Sequence, residues 1–141
     1  MDCLFCRILK NELPASFVYR DEKVAAFLDI NPINKGHVLV IPTRHAKDLE
    51  DLFPDDGAHM FLVARKVAAA LKVSGLPCEG INLFFANGKA AGQEVFHMHL
   101  HVIPRVSGDG FGLKFPTGSG ANMPRSDLDG IAKEIGLKLQ V

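Results

Sequence analysis

Three histidines stand two residues apart in His97-Met98-His99-Leu100-His101, with Phe96 before them and Val102-Ile103-Pro104-Arg105 after. No other stretch restricts the fold as tightly. In an extended strand successive side chains point to opposite faces. His97, His99 and His101 would then share one face, and Phe96, Met98, Leu100 and Val102 the other. In a helix the imidazoles would be scattered round the axis. The alternation predicts a strand over 94–104, apolar on its core side and ended by Pro104, which has no N–H for a ladder. Each imidazole carries two nitrogens that need partners. One buried histidine is commonly satisfied by its neighbours. Three in register call for a shared ligand or a shared reaction. The chain has six histidines in all, so half of them meet here.

That strand needs a sheet, and the remaining pattern supplies one. Leu4 to Lys10 reads as a short helix with Leu4, Phe5, Ile8 and Leu9 on its apolar side and Asn11 as the stop. Phe17-Val18-Tyr19 and Val24-Ala25-Ala26-Phe27-Leu28 read as a hairpin round the polar Arg20-Asp21-Glu22-Lys23. Asp29 to Gly36 has the Asn, Pro and Gly of a loop. His37-Val38-Leu39-Val40-Ile41 is a buried strand stopped by Pro42. Pro54-Asp55-Asp56 opens a long helix, with Met60, Val63, Val67, Ala70 and Leu71 at helical spacing and Ser74-Gly75 at its end. Ile81 to Phe85 is another strand, and Asn87 to Gln93 a glycine-bearing turn into the histidines. Residues 106–125 form a glycine-rich loop without a P-loop pattern. Residues 126–141 read as a helical tail, weakened by Gly130 and Gly136. Neighbouring strands with one inserted helix predict a single α+β domain over 1–141. Its sheet is an antiparallel meander with one long helix, a short N-terminal helix, and the helices on one face.

Composition excludes several classes. Charge is balanced, with 16 basic and 16 acidic residues, so neither nucleic acid nor a membrane surface is expected as a partner. No apolar run approaches the roughly 20 residues of a membrane span. The first residues, Met1-Asp2-Cys3-Leu4-Phe5-Cys6-Arg7, lack the layout of a signal peptide. Three cysteines do not make a disulfide framework, and a reduced, cytoplasmic protein is the expectation. Cys3 and Cys6 have the spacing of one arm of a zinc site, and equally of two small buried thiols.

Three chemistries fit the histidines: a metal hydrolase with three imidazoles on one zinc, covalent catalysis by one neutral imidazole, and a binding module without turnover. The Gly92-Gln93 turn favours the second, because it can present backbone N–H groups to a phosphate just before the strand.

His97-Met98-His99-Leu100-His101-Val102-Ile103 resembles the histidine triad motif, H-x-H-x-H followed by apolar residues. The resemblance runs from Leu4-Phe5-Cys6-Arg7-Ile8 through Phe27-Leu28-Asp29-Ile30 and Gly36-His37-Val38-Leu39-Val40-Ile41-Pro42 to Arg105, with Asn87 and Gly92-Gln93 at suitable offsets. It implies a bacterial-type member of the histidine triad (HIT) superfamily, with the HIT-like fold. The implied activity is nucleotidyl transfer to water from the α-phosphate of a nucleoside conjugate, of the adenosine phosphoramidate type. Dinucleoside polyphosphate hydrolysis is the alternative, and a non-catalytic purine-nucleotide-binding module the alternative of another class. His99 would be the nucleophile. His101 and Gln93 would contact phosphoryl oxygens, and His37 would support the histidine network. Asp29 would accept the ribose hydroxyls, and Phe5, Ile8, Phe27 and Ile30 would line the base pocket. Asn87, Glu94 and Val95 complete the substrate-binding set. Glu94 stands where the family often has a hydroxyl residue. Cys3, Cys6, His45 and His97 match a closed structural zinc site, with no catalytic metal. A homodimer with its sheet continued across the interface is also implied.

Overall fold

The computed structural model describes residues 2–115 and 123–139. Part of the glycine-rich loop, with Gly118 and Gly120, and the last two residues of the helical tail lie outside them. The described chain runs α1 (Leu4–Leu9), β1 (Phe17–Arg20), β2 (Val24–Leu28), β3 (Val38–Pro42), α2 (Pro54–Val73), β4 (Gly80–Phe85), β5 (Leu100–Arg105) and α3 (Arg125–Leu139). A 3₁₀ turn covers Lys89–Ala91. By backbone contacts the chain divides into two units, Met1–Phe111 and Gly112–Val141.

The first unit is the α+β body. Its five strands are all antiparallel, in the order β1-β2-β3-β5-β4. The order departs from strict succession once: β5 inserts between β3 and β4. Val38, Leu39 and Val40 face Val102, His101 and Leu100 across that junction. The register sets His101 opposite Leu39, two residues along from His37, so the two imidazoles share a face and meet.

The helices cover both faces of the sheet, not one. Strand alternation explains why. Val24, Ala26, Val38, Val40, Leu100 and Val102 point to α2, which buries Met60, Val63, Ala64, Val67 and Leu71 against them. Ala25, Phe27, Leu39 and Ile41 point the other way and meet Phe5 and Ile8 of α1. Each Val, Leu, Ile, Phe or Met among them contributes about 1.5–3 kcal/mol when fully buried, and each alanine less. A helix of six residues is unstable alone, so α1 exists through that packing. Leu4, expected on its apolar side, is 47% exposed. Gly36 has φ +94°, and a Cβ there would lie 2.8 Å from the Leu71 side chain, so only glycine lets the Asp29–His37 loop close over the end of α2.

The motif strand is shorter than the alternation predicts. β5 starts at Leu100, so His97 and His99 precede the strand and His101 alone of the three lies within it. Other bonds replace the ladder. The Met98 N–H donates to the Ala46 carbonyl at 2.7 Å, and the Pro42 carbonyl takes a ring N–H of His97 at 2.8 Å. Pro42 also has no N–H to offer. Phe96, expected on the core face, is 40% exposed. At the other end Pro104 does not stop the strand: it lies opposite Ile81, beyond the last β3–β5 pair, where one edge carries no ladder.

In the second unit α3 carries Leu128, Ile131, Ile135 and Leu139 at helical spacing, and all four are exposed. Among the described residues no helix is long and apolar enough to cross a membrane.

Candidate active site and metal cluster

Two histidine clusters meet where β3, β5 and α1 converge. In the first, Cys3, Cys6, His45 and His97 place one donor atom each within 4.8 Å of one another. Cys3 caps α1 and Cys6 lies one turn on. His45 follows β3, and His97 leads into β5. Cys3 Sγ is 3.4 Å from His97 Nδ1, and Cys6 Sγ is 3.4 Å from His45 Nδ1 and 3.5 Å from His97 Nδ1. The two Nδ1 atoms are 3.2 Å apart. A tetrahedral zinc with ordinary Zn–S and Zn–N bonds has ligand–ligand edges of about 3.3–3.8 Å, which these spacings match to within about 0.1 Å.

The chemistry of the donors fits as well. His97 Nε2–H donates to the Pro42 carbonyl, which leaves Nδ1 as a bare lone pair; a ligating imidazole is oriented in this way. Burial pushes His97 down to about 4, so it is neutral at pH 7. Burial and the Cys3 thiol push Cys6 up to about 11, so a thiolate there calls for a cation beside it. With four protein donors such a site is closed.

The second cluster is His37, His99 and His101. His99 is 9% exposed, and its Nδ1 lies 2.8 Å from the His97 carbonyl, which fixes the proton on Nδ1 and leaves Nε2 bare. His37 Nδ1 accepts the Ile33 N–H at 3.1 Å, so its proton sits on Nε2. That Nε2–H donates to His101 Nδ1 at 2.8 Å. Neutral His101 therefore carries its proton on Nε2. These tautomers are assigned from the hydrogen-bond partners. Two neighbouring imidazoles are thus in opposite states, one with a lone pair outward and one with an N–H. Burial lowers the pKa of His37 and His99. Burial, then the neighbouring His99 and His37, hold His101 at about 4. All three are neutral at pH 7, as a nucleophilic imidazole must be.

The other candidate residues sort by what they touch. Asp29 Oδ2 is 3.6 Å from His37 Nε2, and its Oδ1 accepts the Asn31 N–H at 2.9 Å. Phe5 and Phe27 pack edge to face at 5.6 Å, and Phe5 also meets the His99 ring at 5.2 Å. With Ile8 they belong to the core under α1, and Val95 packs on its rim. Ile30 stands apart from them at 89% exposed. Asn87 accepts the Leu49 N–H at 2.8 Å, which joins two loops.

Gln93 is placed differently from its expected phosphoryl contact. It is 4% exposed. Its Oε1 accepts the Gly88 N–H at 2.8 Å, and its Nε2 donates to the Lys47 carbonyl at 2.7 Å and the Val95 carbonyl at 3.2 Å. Those bonds occupy the amide and fix the turn; Gly92 there has φ +88°. Glu94 is exposed, and its charge raises the His99 pKa against burial.

Sequence reasoning missed several groups that shape the site. Phe84 lies opposite His101 in the β4–β5 register and packs edge to face on its ring at 5.5 Å. Register would have found it. The carbonyls of Pro42, Ala46 and His97 and the N–H of Ile33 are backbone groups, on which residue type is silent.

A family model described as "HIT domain" matches residues 10–108. An uncharacterised HIT-like protein of Methanocaldococcus jannaschii is 45% identical over 94% of this chain and 98% of its own length. An adenylylsulfatase of Arabidopsis thaliana is 39% identical over 77% of this chain and 54% of its own. Among solved structures, a HIT family member from Bacillus subtilis superposes with a TM-score of 0.89 at 38% identity, covering 100% of this chain and 99% of that one. A zinc-bound histidine triad protein from Mycobacterium smegmatis gives 0.76 at 44% identity, covering 83% and 84%.

Proposed function

The chain belongs to the HIT family, and on that premise we propose that it hydrolyses nucleoside conjugates at the α-phosphate, phosphoramidates above all, through a nucleotidyl-His99 intermediate. One observation carries the reading: His99 offers a bare Nε2 beside a His101 Nε2–H, both neutral at pH 7. In the first step the His99 Nε2 lone pair forms the bond to phosphorus and the leaving group departs. The His101 N–H stabilises a phosphoryl oxygen or gives its proton to the leaving atom. In the second step water attacks, the phosphorus–nitrogen bond breaks, and a nucleoside monophosphate and neutral His99 result. The adenylylsulfatase relative supports hydrolysis of an adenylyl conjugate.

Asp29 accepts the ribose hydroxyls with the carboxylate oxygen that Asn31 leaves open. Exposed Ile30 supplies an apolar surface to the purine, and Phe5, Ile8 and Phe27 line the rest of the base pocket. Gln93 acts by holding the turn at 88–95. Cys3, Cys6, His45 and His97 hold a structural zinc, which contributes folding free energy and ties α1 to the segment before β5. The zinc-bound mycobacterial structure and the donor geometry are compatible with it. A cytoplasmic homodimer, with all 141 residues as one functional domain, belongs to the same reading.

The test is a side-by-side assay of an adenosine phosphoramidate and a dinucleoside polyphosphate. The parent should turn over the phosphoramidate faster and carry covalent nucleotide after quenching. Parental turnover by His99→Ala would remove the nucleophile from the reading.

A further inference from the structure

The turn after β5 holds a set of bonds that the reaction above does not use. Asp109 accepts from Arg105 Nε at 2.7 Å and Arg105 Nη2 at 2.6 Å, a two-pronged ion pair, and from the Asn34 amide at 2.8 Å. The N–H groups of Val106 and Phe111 also point at it, at 3.3 and 3.2 Å. Its side chain is 5% exposed. Arg105 also reaches Asn82 on β4 at 2.7 Å and the Phe111 carbonyl. The turn is thus rigidly tied to the sheet. A buried carboxylate with five donors is an expensive device for a surface turn unless it holds something.

What it holds is Asn34. The Asn34 amide spends one N–H on Asp109 and the other on the Pro104 carbonyl at 2.9 Å. Asn34 lies in the middle of the loop that wraps His37. Its carbonyl accepts the His37 N–H at 3.1 Å, and the next residue back, Ile33, donates its N–H to His37 Nδ1. That last bond decides which His37 nitrogen carries the proton, and His37 in turn decides for His101.

We propose that Asp109 and Asn34 are positioning residues that set the tautomer of His101. Anchored by Arg105, Asp109 fixes Asn34; Asn34 fixes the Ile33 N–H; that N–H keeps His37 protonated on Nε2; and His101 is left with its proton on the nitrogen not bonded to His37. Neither residue belongs to the substrate-binding set proposed above; both act through the bonds just described. Without the anchor, Ile33 leaves His37 Nδ1, and His37 is free to take the proton there. Its Nε2 then accepts instead of donating, and the proton of His101 moves to Nδ1. The outward nitrogen becomes a lone pair, which cannot donate to a phosphoryl oxygen or a leaving group. The consequence for turnover rests on the reading of His101 as a donor; the tautomer itself does not.

The deciding experiment records imidazole nitrogen NMR shifts of His101 in the zinc-loaded full chain, for the parent, Asn34→Ala and Asp109→Asn. The Asn34 variant keeps the Arg105–Asp109 ion pair and so keeps the turn. The parent should show His101 protonated on Nε2, and both variants a substantial Nδ1–H population. Turnover of the phosphoramidate should fall about tenfold in kcat with KM changed less than about threefold, since donation by a placed side chain is worth about 10²–10⁴-fold in all. An unchanged His101 tautomer in both variants overturns the proposal. A shifted tautomer with parental kcat supports the positioning chain and removes His101 as donor. A parent without hydrolase activity defeats the functional reading, and the nitrogen shifts still decide the chain.

Discussion

The two histidine clusters use the same side chain in opposite ways, although His97 and His99 are only two residues apart. In the Cys3–Cys6–His45–His97 cluster the ring nitrogens converge, with two Nδ1 atoms 3.2 Å apart. Two lone pairs at that distance are stable only round a shared cation or proton. In the His37–His99–His101 cluster each close contact pairs one donor with one acceptor. The difference comes from which backbone carbonyl each ring reaches. Pro42 takes the Nε2–H of His97 and leaves Nδ1 for a metal; the His97 carbonyl takes the Nδ1–H of His99 and leaves Nε2 for phosphorus. A histidine's chemistry is set by the partner of its second nitrogen.

The sharpest way to break this contrast is to remove one imidazole from each side. His99→Ala should lower turnover by about 10⁴-fold or more, as loss of a nucleophile does elsewhere. Nucleotide affinity should change little. Single-turnover kinetics with equilibrium binding would separate the two, and retained turnover would mean that the wiring argument chose the wrong ring.

Cys6→Ser should act the other way. Loss of a structural metal lies among the largest effects of point mutation, about 3–5 kcal/mol of stability. Denaturant unfolding with one equivalent of zinc should show that loss. Properly folded variant should keep much of its chemistry. A stable variant with its turnover abolished would place the metal in the reaction.

Acid should separate the clusters as well. His101 titrates at about 4 when folded, against an ordinary value of 6.5. Between those values the unfolded chain binds more protons, so stability falls as pH falls from about 6.5 to about 4. One such group gives a slope of at most about 1.4 kcal/mol per pH unit. His101→Gln should lower the slope of unfolding curves across the window by up to that amount, with the shares of His37, His97 and His99 remaining, and a slope equal to the parent's would contradict the assignment. The same fall in pH should release zinc from the first cluster, because protons compete for its thiolates.

The smallest effect concerns the edge of the second cluster. Asp29→Ala should weaken a ribonucleotide about tenfold or more relative to its analogue without a ribose hydroxyl, since charge-assisted bonds are worth about 1.5–3 kcal/mol each. Calorimetric titration with both ligands checks it, and equal weakening would confine Asp29 to supporting His37.

Local pattern sufficed wherever a residue's neighbours in sequence are also its neighbours in space. The period of Met60, Val63, Val67 and Leu71 gave α2, and Val24 to Leu28 is a strand with the limits read from the apolar run after the polar Arg20–Lys23 turn. Spacing alone pointed to Cys3 and Cys6; the family resemblance added His45 and His97, and the fold brings the four together. Spacing failed at His97 and His99, where alternation predicts ladder pairing. Bonds to Pro42 and Ala46, more than fifty positions away from them on the chain, draw the segment out of the sheet.

Residue order by itself determined that this chain makes an antiparallel α+β body, with a long helix, a sheet and a dense set of imidazoles at its edge. Tertiary structure alone decided that helices cover both faces, that β5 enters between β3 and β4, and where each imidazole proton resides. The physical reason is the same in every case. Hydrophobic period is written in side chains and read within one element. Layer order and tautomer depend on backbone groups brought together across the fold, and every residue carries the same N–H and C=O, proline's missing N–H excepted.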